Sequence, residues 1–68
     1  GQIRNIDKLK EKLTDESSLV RAMAVWALSC LMNFEDFNNL KKSYFAVEAD
    51  KNVIEEWKIA FNKKDFIG

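Results

Sequence analysis

Residues able to do chemistry are sparse in this chain, and none of them is grouped. It holds one cysteine, Cys30, and no histidine. Thiolate–imidazole pairs, histidine acid–base catalysis and multi-cysteine metal sites therefore have nothing to be built from. A reactive thiol needs a neighbouring cation to hold it as thiolate. Cys30 stands between Ser29 and Leu31 in an apolar run and reads as an inert small hydrophobe. The carboxylate pairs Glu35–Asp36 and Glu55–Glu56 have no partner base or ligand set; the first suits a helix start and the second ordinary surface. The basic doublets Lys41–Lys42 and Lys63–Lys64 are the candidates for a weak RNA contact, diluted by nearby Glu and Asp into solvated helix faces. Trp26 and Trp57 have the ring size of base-stacking platforms. Both lie on apolar helical stripes, which assigns them to the core. No catalytic, cofactor-binding or metal-ligating residue is expected.

The elements that would position these residues are helices. With no Pro and two Gly, both terminal, nothing internal breaks a long helix. Hydrophobic residues at 47% and charged residues at 32% describe a globular chain. The 68 residues make one small domain, with marginal stability expected at that size. Formal net charge is zero, from 11 basic and 11 acidic residues, without the excess of an autonomous nucleic-acid binder. The apolar run Leu19–Met32, interrupted by Arg21 and Ser29, is shorter than the ~20 residues of a membrane span. No signal-peptide pattern precedes it, and a free Cys on an apolar helix suits a reducing, cytoplasmic setting. The first residue is Gly1 rather than Met, as in an excised piece of a longer protein or a cleaved tag.

Ile3, Ile6, Leu9 and Leu13 form one apolar stripe and predict a helix over about Asn5–Thr14. Thr14–Ser17 is turn chemistry, with Ser17 the N-cap of a second helix. From Ser18 to Met32 almost every face is apolar; Ala22, Ala24 and Ala27 permit close approach, while Met23 and Trp26 fill volume. Asn33 caps a third helix with Phe34, Phe37, Leu40, Tyr44 and Val47 inward and Lys41, Lys42 and Glu48 on the wet side. Asp50 caps a fourth carrying Val53, Ile54, Trp57, Ala60 and Phe61 inward, with Phe66 and Ile67 packing back or fraying.

Short helix, polar turn, apolar helix thus occurs twice. A shift of 33 residues sets Val20 on Val53, Ala27 on Ala60, Leu28 on Phe61 and Asp15 on Glu48. A hairpin repeated at this period is the mark of a solenoid. The boundaries are about 5–32 for the first repeat and 33–64 for the second.

The order Asp15, Val20, Arg21, Ala24, Trp26, Ala27, Leu28 resembles a HEAT-type repeat. That resemblance implies two antiparallel helix hairpins stacked as an α-solenoid fragment. Val20 then faces the core, and Arg21 pairs with turn carboxylates such as Asp15 or its equivalent in a neighbouring repeat. Ile54 replaces Arg21 in the second copy, which marks the end of an array. More narrowly, SSLVRAMAVWAL, with Arg4-Asn5 upstream and NVIEEW downstream, is similar to the C-terminal HEAT-like region of the epoxyqueuosine reductases. Phycobilin-lyase-type scaffolds, which bind a protein and its pigment, share much of the pattern.

The reductase resemblance implies a non-catalytic module of a tRNA-modifying oxidoreductase. It would supply packing surface, toward the rest of the parent protein, and auxiliary contact to the anticodon stem–loop. The 4Fe–4S clusters and cobalamin of such enzymes belong to other domains, whose CxxCxxCxxxCP-like ligand run is not found here. The competing reading is a free-standing protein-interaction scaffold.

Overall fold

A computed structural model describes the backbone of residues 6–67 and the side chains of residues 6–63. Every regular element among them is helical: α1 (Ile6–Glu11) running into a 3₁₀ turn (Lys12–Thr14), α2 (Ser18–Leu31), α3 (Phe34–Phe45) and α4 (Lys51–Ile67). The all-α expectation with four helices holds. Gln2–Arg4, Asn5 and the side chains of Lys64, Phe66 and Ile67 lie outside the described residues.

Each boundary has a local cause. At the end of α1, Thr14 Oγ1 donates to the Glu11 carbonyl at 3.1 Å and the Asp15 N–H to the Lys12 carbonyl, tightening the chain into 3₁₀ geometry. The first helix is therefore shorter than Asn5–Thr14 as α-helix. Ser17, in extended conformation, accepts the Val20 N–H on Oγ at 3.3 Å and starts α2. Met32 returns to extended geometry, and Asn33 Oδ1 then accepts the Asp36 N–H at 2.8 Å to start α3. Asp50 Oδ1 takes the N–H groups of Asn52 and Val53 at 2.8 and 3.2 Å and caps α4. Side-chain caps and short backbone turns separate these helices, in a chain without internal Gly or Pro.

α2 packs most extensively against α4, with α1 laid on α2 and α3 on α4; α2 and α3 meet only slightly. One core joins Leu13, Val25 and Leu28 to Phe37, Val53 and Trp57. Phe37 and Trp57 meet at 5.3 Å between ring centroids, and Phe34 and Phe61 meet at the same distance. Full burial of such side chains contributes roughly 1.5–3 kcal/mol each. The inward assignments of Phe37, Val53, Trp57 and Ala60 are met; Ile54 and Phe61 are half-buried.

The structure overturns the inward placing of Val47 and the volume-filling role of Met23. Val47 is exposed, because α3 stops at Phe45 and the turn that follows breaks the helical stripe. Met23 fills no core volume: it lies on the side of α2 turned away from Val25 and Leu28 and is exposed.

Candidate functional site

The densest polar arrangement is built around Arg21, the one charged residue of α2. Its Nε and Nη2 donate to the two carboxylate oxygens of Glu48, each at 3.0 Å. Nη1 donates to the backbone carbonyls of Asp15 at 2.7 Å and Glu16 at 3.2 Å. One guanidinium thus ties the turn before α2 to the turn before α4. Glu48 Oε2 also accepts the Asp50 N–H at 3.0 Å, fixing the residue that caps α4. The Glu48 side chain is only 7% exposed and that of Arg21 20%, so the bidentate pair is shielded from water.

The expectation for Arg21 is met in one part and redirected in another. It pairs with Glu48, the carboxylate that the 33-residue shift sets on Asp15. From Asp15 itself it takes the main-chain carbonyl, while Asp15 Oδ1 accepts the Ser17 N–H at 2.9 Å. Glu48 was expected on the wet side of the third helix. It lies beyond the end of α3, turned inward to Arg21. Its register with Asp15 was the signal that could have found it.

Of the other motif residues, Leu28 is fully buried, and Val20 and Ala27 are half-buried. Trp26 is 58% exposed, against 1% for Trp57. Assigning Trp26 to the core is therefore wrong. α2 is apolar on every side, so its composition does not say which side turns inward. Trp26 falls opposite Val25 and Leu28, on the stripe Leu19, Met23, Trp26, Cys30, all of it exposed. Cys30 accordingly stands on the surface, not packed as a hydrophobe within the helix bundle. This stripe borders an open, mainly apolar groove of about 790 Å³ that reaches Leu9 on α1 and Glu56 on α4.

The basic doublets separate. Lys41 is half-buried, with Nζ 4.7 Å from the Phe45 ring centroid and 4.6 Å from that of Phe61. A cation over two aromatic faces is engaged within the fold, so Lys41 is neither solvated face nor a free RNA contact. Lys42 and Lys63 are exposed. Glu35, Asp36 and Glu55 are exposed as well, and no cluster of three potential metal ligands occurs among the described residues. No described helix is long and apolar enough to cross a membrane.

Set against known families, curated proteins and solved structures, the chain matches none.

Proposed function

We propose that this chain is a HEAT-like repeat module with no catalytic chemistry of its own, working by the surfaces it presents. In this reading it serves, like the C-terminal region of the epoxyqueuosine reductases it resembles, as packing surface and auxiliary anticodon stem–loop contact. The iron–sulfur and cobalamin chemistry belongs to other domains of such an enzyme. The observation that carries the repeat reading is the Arg21–Glu48 pair, which joins two equivalent turns. A link of that kind rigidifies a scaffold and leaves no proton or nucleophile in play. Exposed Lys42 and Lys63 support the RNA contact.

The groove beside Leu19, Met23 and Trp26 favours a second reading, a protein-interaction scaffold unconnected with tRNA. Titrating the labelled chain with an anticodon stem–loop at low and high salt separates the two. The tRNA reading expects weak binding that falls as salt rises and falls again in Lys42→Glu/Lys63→Glu. No binding, or binding indifferent to salt, sinks it in favour of the scaffold.

A further inference from the structure

Leu19, Met23, Trp26 and Cys30 recur at spacings of four, three and four along α2, and all four are exposed. That is the spacing of a coiled-coil seam, the line along which one helix packs on another. Leu19, Met23 and Trp26 line the open groove, and α1 and α4, which flank α2, scarcely meet each other. Two charged residues line it as well: Lys12, in the 3₁₀ turn after α1, and Glu56, on α4. They stand on opposite sides of α2, and neither side chain is paired with another described residue. Both lie toward the end where α2 and α4 begin, because Arg21 and Glu48 hold those two starts together.

We propose that this face of α2 is the twofold interface of a homodimer in which the two α2 helices run parallel. A twofold axis along α2 sets Leu19, Met23, Trp26 and Cys30 each against its own counterpart. The same axis lays α1 of each copy over α4 of the other, so Lys12 meets Glu56 twice. An antiparallel pairing lays α1 over α1 instead and carries Lys12 to the far end, away from Glu56. Charge therefore selects the parallel arrangement, and this chain's own residues complete it. Three large side chains over a floor of alanines are a small patch beside the ~800 Å² that each partner gives to a stable complex. The dimer is accordingly weak, with a dissociation constant of roughly 0.1–1 mM. At low micromolar concentration the chain is a monomer, with Trp26 open to solvent.

Sedimentation equilibrium of the reduced full chain, from low micromolar to about 1 mM, is the test. The mass should rise from monomer toward dimer at the upper concentrations. Trp26→Ser, which spares the core, should keep native far-UV dichroism and remain a monomer throughout. Lys12→Glu sets a carboxylate against Glu56, and Glu56→Lys sets an ammonium against Lys12. Each variant alone should associate roughly tenfold more weakly than the native chain. Mixed in equal amounts, the two should recover native association, because every mixed pair carries both attractions. A native chain that stays monomeric overturns the dimer and leaves the groove to a different partner. Association that survives Trp26→Ser places the interface elsewhere and overturns it equally. Single variants that associate like the native chain, or a mixture that recovers nothing, overturn the parallel arrangement.

Discussion

Asp15 and Glu48 play the same part in the turns before α2 and α4, each accepting the main-chain N–H two residues on, ahead of a capped helix. The difference between them is the cation. Glu48 is gripped at both oxygens by Arg21 of α2, and the pair is largely out of water. Its worth is geometric as much as energetic, since a shielded pair loses much of its Coulombic gain to desolvation.

Glu48→Ala strands the Arg21 guanidinium and frees the Asp50 N–H. The expected cost is about 2–4 kcal/mol, below the full penalty for breaking a buried pair because Arg21 keeps its two carbonyl bonds. Urea unfolding reads it directly. A loss under about 0.5 kcal/mol would place the pair among surface ion pairs of negligible weight.

The two tryptophans make an internal control. Trp57→Ala, at 1% exposure and against Phe37, should cost about 3–5 kcal/mol or abolish folding. Trp26→Ser, at 58% exposure, should stay within about 0.5 kcal/mol of the native chain. Iodide quenching tests the same assignment without any loss of stability: Trp57→Phe keeps the quenchable emission and Trp26→Phe removes it.

Asp50 caps α4 with one carboxylate oxygen shared by two N–H groups, at 2.8 and 3.2 Å. Asp50→Ala should cost about 1 kcal/mol, and Asp50→Asn or Asp50→Ser much less, as measured by thermal unfolding. Equal losses in all three would mean that the cap contributes nothing specific to Asp, Asn or Ser.

Lys41 and Lys42 are adjacent but differ in their surroundings. Lys41→Gln gives up the contact with Phe45 and Phe61 and should cost about 0.5–1 kcal/mol. Lys42→Gln, on the exposed side, should leave the urea midpoint unchanged. Indistinguishable midpoints would remove Lys41 from the fold's energetics.

What the sequence made legible follows from how locally each feature is encoded. Ser17, Asn33 and Asp50 were readable as caps because a cap joins a side chain to the backbone two or three residues on. Phe37, Val53 and Trp57 were readable as core because α3 and α4 alternate apolar and charged residues, which gives their stripes a direction. α2 has no such alternation. Trp26, Met23 and Cys30 were therefore placed by composition, and all three are exposed. Glu48 was hidden differently: its partner is 27 residues away, and only its 33-residue register with Asp15 pointed to it.

That α2 is apolar all round has a consequence for how it is set about its own axis. Turned by half a revolution, it would bury Leu19, Met23 and Trp26 and expose Val25 and Leu28, at similar cost in apolar area. Arg21 is the only residue of α2 whose charge distinguishes one angular setting from another. Its grip on Glu48 indexes the helix as a key indexes a shaft. Arg21→Met with Glu48→Gln, which leaves no stranded charge, should keep far-UV helicity and unfold at a similar urea concentration. Its near-UV tryptophan signal should weaken and its amide resonances broaden as α2 samples more than one angle. A double variant with sharp resonances and native near-UV dichroism would show that packing alone fixes the phase.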